Sequence, residues 1–286
     1  MPRKANQFLG AHMSIAQGID KAIDRIQKVK GTALQFFSKN QRQWKYKPLC
    51  SQQIQSFKAK YQNWGPYPLV IHTSYLLNLA SPDSNQYTKS IQDLQAELKR
   101  ANLLGVHYIV THPGSHKGAG LSQGLNKLKQ AIRQVFLTVP EFKGWLLLEN
   151  TCGAGNLLGG NLEEYQTITR ELSDLKVGFC LDTAHLFGFG YDFRTPSTYQ
   201  RLKQILDKTL GLKNIKLWHL NDSLEELGSK KDRHYHIGQG KIGLNGFKFI
   251  LQDPDFTPLP KIIETPKENN WDQKNLTTLR KLIPKT

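Results

Sequence analysis

Eight short apolar runs, amphipathic stretches between them and a length of 286 residues predict a single (β/α)8 TIM barrel, an α/β fold. The first run is FLGAH at 8–12, followed by a helix-like pattern, SIAQGIDKAIDRIQKV, over 14–29. TALQFF at 32–37 and PLVIH at 68–72 come next. Then SIQDLQAELKRANLLG, with apolar residues three and four apart, predicts a helix ending in a glycine suited to a C-cap. VHYIVTH at 106–112 leads into a second such helix, NKLKQAIRQVFLTV, and the series continues with WLLLEN at 145–150 and VGFCLDTAH at 177–185. IKLWHLND at 215–222 and PKIIET at 260–265 complete the eight. Runs apolar along their whole length, alternating with helices, imply parallel strands covered on both faces. A doubly wound open sheet is the structural alternative, but eight units suit a closed barrel, for which roughly 250 residues is typical. No linker or low-complexity stretch divides the chain, so one barrel domain is expected over 1–286.

Composition narrows the class. Apolar content of 38% and charged content of 22% are those of a globular protein, and no apolar run approaches the roughly 18 residues of a membrane span. The opening MPRKANQFLGAH lacks the apolar stretch of a signal peptide, so a cytoplasmic protein without a membrane partner is expected. Cys50, Cys152 and Cys180 are an odd count without CxxC spacing, which argues against a disulfide framework and a thiolate zinc site. They are expected to be small core residues. A net charge of +16 favours a polyanionic partner, because neutralising phosphates releases counterions. The lysines are dispersed and form no single basic block, which argues against a disordered tail. GAGNLL at 153–158 follows a strand but ends in Leu where a dinucleotide fingerprint needs Gly or Ala, which argues against dinucleotide binding.

The chemistry lies in what closes the runs. His72 closes the third, His112 the fourth, Glu149 the fifth, Asp182 the sixth, His219 the seventh and Glu264 the eighth. His185 follows Asp182 by one short turn, and Asp232 and His234 lie in the long segment after the seventh run. The C-terminal ends of barrel strands converge on one rim, so these residues would surround one pocket. A lone strand-end His or Asp is usually a capping group; six consecutive strands ending in His, Asp or Glu point instead to a multinuclear metal site. Five imidazoles and four carboxylates would serve three zinc ions with three or four ligands each, if one carboxylate bridges two ions. Three dications against four carboxylates leave positive charge to bind a phosphodiester. The other histidines, His12, His107, His116 and His236, show no pairing pattern; structural or solvent-facing roles are expected, with His12 and His116 near the rim.

Nearly the whole chain resembles the endonuclease IV family of abasic-site endonucleases. The segments that carry the resemblance are GAHMS (10–14), KNQRQW (39–44), HTSYLLNL (72–79), THPGSH (111–116) and LLLENTCGAGNLLG (146–159). CLDTAHLFGFGYD (180–192), LWHLNDS (217–223), DRHYHIGQGKIG (232–243) and IIETP (262–266) follow in order. The resemblance implies a (β/α)8 barrel with three zinc ions in a DNA-binding groove. It implies that His72, His112 and Glu149 hold the first ion, and that Glu149 bridges to a second completed by Asp182, His219 and Glu264. His185, Asp232 and His234 would hold the third.

The implied reaction is hydrolysis of the phosphodiester 5′ to an abasic site in duplex DNA, giving a 3′-hydroxyl and a 5′-deoxyribose phosphate, with 3′-end trimming as an accompanying activity. Water activated between the first two ions would attack, the third would stabilise the departing oxygen, and Glu149 and Glu264 would be the catalytic carboxylates. Arg42, Gln43 and Tyr75 would enter the duplex at the lesion, where a missing base makes extrusion cheap. The enzyme would act as a monomer. Gln239 stands where many relatives are acidic and Ala184 where many have Cys; neither is a presumed ligand. The rival reading is a metal-dependent sugar isomerase or epimerase on the same barrel, which would need fewer ligands and no basic surface. A DNA-binding protein that had lost the chemistry would lack at least one ligand, and all nine are present.

Overall fold

The structure, a computed structural model, describes residues 7–284. The eight runs form eight parallel strands: β1 (Leu9–His12), β2 (Ala33–Phe37), β3 (Leu69–His72), β4 (Tyr108–Thr111), β5 (Trp145–Glu149), β6 (Val177–Asp182), β7 (Ile215–His219) and β10 (Lys261–Ile263). Each pairs with its neighbour in chain order and β10 pairs with β1, closing the barrel. Between β7 and β10 a short antiparallel hairpin pairs β8 (Asp222–Ser223) with β9 (His234–Tyr235).

Period-two alternation of strand side chains explains the interior. Ala33, Val70, Val110, Leu147, Cys180, Leu217 and Ile262, one from each strand β2 to β7 and β10, form a fully buried cluster separate from the larger core under the helices. At β1 the equivalent position is Gly10, where a Cβ would fall 1.7 Å from the Ala33 carbonyl oxygen. Two residues earlier on the same face Phe8, Tyr108 and Trp145 pack under this layer. Two residues later the same face reaches the C-terminal rim.

The helices cover the outside: α1 (Lys21–Lys28), α2 (Ser51–Trp64), α3 (Ser84–Leu104), α4 (Leu121–Thr138), α5 (Tyr165–Glu171), α6 (Thr183–Phe189), α7 (Pro196–Thr209), α8 (Gly243–Gln252) and α9 (Trp271–Leu282). The first helix is shorter than the pattern over 14–29 predicts. Gln17 and Gly18 take positive φ (71° and 138°), so the chain turns there before α1 begins. The glycine cap of α3 is as expected, Gly105 being left-handed at φ 74° with its amide donating to the Ala101 and Asn102 carbonyls. Cys152 and Cys180 are buried, but Cys50 is exposed at the start of α2, contrary to the expectation of a core residue. No helix among the described residues is long and apolar enough to cross a membrane.

Candidate metal centre

The rim layer is polar where the layer beneath it is apolar. His72, His112, Glu149, Asp182, His219 and Glu264 each stand two residues after an interior apolar residue, at or one step beyond the strand end. His112 and Glu264 lie one residue past β4 and β10. The fold brings nine predicted residues together. Ligand atoms of His72, His112 and Glu149 lie within 4.8 Å of one another, as do those of Glu149, Asp182, His219 and Glu264, and those of Asp182, His185 and His234. Asp232 joins the last group, 3.1 Å from His185 Nε2 and 3.2 Å from His234 Nε2.

Local structure fixes each donor. Asp182 is the N-cap of α6: its Oδ1 accepts from the His185 amide at 2.9 Å, so the carboxylate that starts the helix also sets where His185 points. Its other oxygen accepts from Asn221 Nδ2 at 2.6 Å, and its amide donates to Asn150 Oδ1 at 2.6 Å. Asp222 organises the hairpin that presents His234. Its carboxylate accepts from the amides of Ser223, Gly238, Gly240 and Ile242 at 2.8–3.1 Å. Gly240 has to be glycine there, since a Cβ would lie 2.4 Å from the Ser223 carbonyl oxygen.

One nitrogen of each central imidazole is tied back to the protein and the other faces a carboxylate. His72 Nδ1 donates to the Thr73 carbonyl (2.8 Å), leaving Nε2 3.0 Å from Glu149. His185 Nδ1 donates to the Asn150 carbonyl (2.9 Å), leaving Nε2 beside Asp232. His219 Nε2 donates to Gln35 Oε1 (2.8 Å), leaving Nδ1 between Glu149 (2.9 Å) and Glu264 (3.2 Å). His234 Nε2 is buried without a hydrogen-bond partner, although Asp232 and Asp182 oxygens lie 3.2 and 3.5 Å away. An oriented imidazole with its free lone pair aimed among carboxylates is the arrangement of a metal-binding histidine. The donor set of imidazoles and carboxylates fits zinc.

Charge coupling in the cluster is strong. Burial alone would raise the Glu149 carboxyl, yet the His219 and His112 imidazoles hold it well below the usual carboxylate range. Burial alone would lower His185, yet Asp182 and Asp232 hold it well above its ordinary value. His219 is likewise held high, against burial, by Cys180, Glu264 and Glu149. Burial would raise Asp232, but His185 and His234 keep it down at about 2. Such donors exchange protons for a cation.

The contacts of two rim residues were not read from the sequence, although His12 was expected near the rim. Gln35, fully buried, donates through Nε2 to Glu264 Oε1 (2.6 Å) and His12 Nδ1 (3.0 Å), while its Oε1 accepts from His219. His12 lies 3.3 Å from Glu264, and burial lowers its pKa. Both sit in the frame of the other rim residues, two positions after Ala33 and Gly10, and that frame is the signal that could have found them. His116 and His236 are structural: the first accepts from the Gly120 amide (3.2 Å), and the second stacks on Trp271 with centroids 3.8 Å apart.

Beside the cluster opens a cavity of about 690 Å³ lined in part by Tyr75, His112, His185, Lys230, Lys231 and Asp232. Tyr75 is 65% exposed and stands over the site, its ring centroid 6.1 Å from that of His72. Arg42 and Gln43 are exposed at the tip of the segment after β2. Gln239 is exposed and outside the donor groups.

A family model described as a xylose isomerase-like TIM barrel matches residues 23–282. The probable endonuclease 4 of Chloroflexus aggregans is 42% identical over 286 residues, covering 99% of this chain and 98% of the relative. That of Halothermothrix orenii is 43% identical over 266 residues, covering 93% and 95%. Among solved structures, endonuclease IV from Thermus thermophilus superposes with a TM-score of 0.87 at 34% identity, covering 96% of this chain and 98% of that one. A 3-keto-D-glucoside 4-epimerase from E. coli superposes at 0.70 with 12% identity over 97% and 99%, a likeness of fold alone. With relatives this similar over nearly their whole length, the chain belongs to the endonuclease IV family.

Proposed function

We propose that this protein is a zinc-dependent abasic-site endonuclease that hydrolyses the phosphodiester 5′ to the lesion in duplex DNA, leaving a 3′-hydroxyl and a 5′-deoxyribose phosphate. The observation that carries the reading is the convergence of five imidazoles and four carboxylates on one barrel rim, in a chain of this family. His72, His112 and Glu149 would hold the first zinc ion. Glu149, Asp182, His219 and Glu264 would hold the second, and His185, Asp232 and His234 the third. Bound there, zinc would supply an activated water near neutral pH and offset the charge of the phosphodiester.

The chain's own residues do the rest. Gln35 and the Asn221 amide oxygen, which accepts from the Glu264 backbone N–H at 2.7 Å, hold Glu264 in place to orient the attacking water. Tyr75, Arg42 and Gln43 fill the space of the missing base; an aromatic ring and a guanidinium stack well there. The cavity beside the site, with apolar walls at Leu76 and Leu157, receives the extruded sugar. The same arrangement would trim blocked 3′ ends, which present a phosphodiester beside a gap, and one chain suffices for one lesion. The test is nicking of a labelled duplex bearing a single abasic site, before and after metal stripping. Cleavage to a 3′-hydroxyl that disappears on stripping and returns with zinc is expected. An intact duplex, or an unsaturated 3′ aldehyde from β-elimination, would overturn the proposal. An epimerase reading gains nothing from the fold likeness alone.

A further inference from the structure

Among the charged side chains buried away from the metal centre, four form one cluster: Lys39, Asp93, Glu97 and Arg100, none more than 6% exposed. Asp93, Glu97 and Arg100 are spaced four and three apart on α3 and share one face. That face meets the chain as it leaves β2. Ser38 Oγ donates to Glu97 and accepts from Arg100 Nε at 2.8 Å, and a terminal nitrogen of Arg100 donates to the Ser38 carbonyl. The Lys39 ammonium pairs with Asp93. The other terminal nitrogen of Arg100 reaches the Lys47 carbonyl at 3.4 Å. One guanidinium thus holds both ends of the segment 38–47, whose tip carries Arg42 and Gln43.

Few hydrogen bonds fix that tip. No helix or strand forms between residues 38 and 50. Its own hydrogen bonds are the Arg42 amide on Asn40 Oδ1 (2.9 Å), the Gln43 amide on the Asn40 carbonyl (3.4 Å) and the Gln41 carbonyl accepting from Ser74 Oγ (2.6 Å). Its inner side opens on a cavity of about 600 Å³ lined by Asn40, Gln43, Lys45, Tyr46 and Leu49. Trp44 and Leu49 pack against the core on the C-terminal side of the loop, so the tip at residues 40–43 takes its position from the neck on one side and from Trp44 on the other. Buried ionic networks are poor sources of net stability, and in some proteins they are retained because they specify one conformation. We propose that Arg100 and Glu97 are positioning residues that preorganise the loop 38–47 for entry into the duplex, so that its ordering is not charged to binding. This rests on the reading that Arg42 and Gln43 meet the lesion.

The test compares two substrates on the zinc-loaded full chain: an abasic duplex, which needs the loop, and bis(4-nitrophenyl) phosphate, which needs only the metal centre. Arg100→Met should lower kcat/KM on the duplex by about 30-fold or more, chiefly through KM, and change hydrolysis of the small diester by less than about twofold. Glu97→Gln, which still accepts the Ser38 bond, should stay within about threefold of wild type on the duplex, whereas Glu97→Leu should follow Arg100→Met. If Arg100→Met fails to fold, Ser38→Ala, which removes only the shared hydroxyl, should still cost about fivefold on the duplex alone. Unchanged duplex nicking in Arg100→Met or Glu97→Leu, or equal losses on both substrates, would overturn the proposal. Arg42→Ala separates it from the reading beneath it. If that variant is impaired and Arg100→Met is not, only the neck is wrong; if Arg42→Ala nicks as wild type does, the loop's role falls and the neck with it.

Discussion

Replacing Glu149 with Gln is the sharpest perturbation of the proposed centre, because the side chain is fully buried and its two oxygens face different donor groups. Oε2 lies 3.0 Å from His72 and 3.6 Å from His112, whereas Oε1 lies 2.9 Å from His219. An amide keeps the volume, so no cavity forms. It removes one of four negative charges and turns an –NH2 donor toward an imidazole lone pair on one side. If the residue bridges two zinc ions, both lose a ligand. Even an outer-shell partner is worth about 10–100-fold in metal affinity or activity, so two sites together should lose about 10²–10⁴-fold. At 1.36 kcal/mol per decade that is about 3–5 kcal/mol of transition-state stabilisation. The assay is single-turnover nicking of an abasic duplex with enzyme in excess, paired with elemental analysis of the same samples. We expect a rate about 10³ lower, fewer bound ions, and a melting curve in chelator close to that of chelated wild type. Nicking within tenfold of wild type at unchanged metal content would refute the bridging argument, and so would a variant that is unfolded in chelator while wild type is not.

Elemental analysis of purified wild type should find three zinc ions per chain, and exhaustive chelation should abolish nicking and lower Tm; a single ion would contradict the donor grouping. Gln35→Leu, which cuts the link between His219, Glu264 and His12, should reduce nicking about 10–100-fold at a small cost in Tm, and an unchanged rate would show that the link is idle. Binding to an abasic duplex should weaken about 10³-fold or more between 50 and 200 mM salt if six or more phosphates are contacted, as a chain of net charge +16 permits; a flat dependence would remove those contacts. Burial pushes the Glu97 carboxyl up to about 7. A folded-state pKa above the unfolded one means that the protonated form favours folding: its contribution is complete below about pH 4.5 and is lost as pH rises toward 7, by about 3 kcal/mol. Denaturant titrations from pH 4.5 to 7 should show Glu97→Gln losing less stability than wild type across that window, and parallel curves would refute the shift.

The barrel was legible because its strands are apolar on both faces, which leaves eight separated runs that helices cannot imitate at that length. Element ends were less so. The pattern over 14–29 is helical in its apolar spacing, but the turn at Gln17 and Gly18 depends on backbone geometry that apolar spacing does not encode. Six of the nine donors were legible for a related reason: an ionisable residue closing an apolar run is conspicuous against it. Asp232 and His234 were not placed by any run, and only the resemblance assigned them to a third ion; in the fold it is the carboxylate of Asp222, receiving four backbone amides, that holds the hairpin bearing His234 against the rim.

The roles of Gln35 and His12 went unread for the opposite reason, although His12 was expected near the rim. An amide inside TALQFF and a histidine two residues after a glycine carry no conspicuous charge or spacing of their own. Their meaning appears only when the frame is taken from the interior layer: every strand that places an apolar residue or glycine inside the barrel places its next inward residue on the rim. Counted in that frame, the rim has eight members, of which six are donors grouped by the fold and two are a hydrogen-bonded pair, Gln35 and His12, that set the direction of His219 and Glu264. The neck of the loop 38–47 is harder still to read, since its cations and carboxylates come from α3 and from the chain after β2, and on α3 alone Asp93, Glu97 and Arg100 look like a solvated helix face. Only the contact with Ser38 and Lys47 shows that the face is buried and why a helix of the outer ring bears on what the rim can recognise.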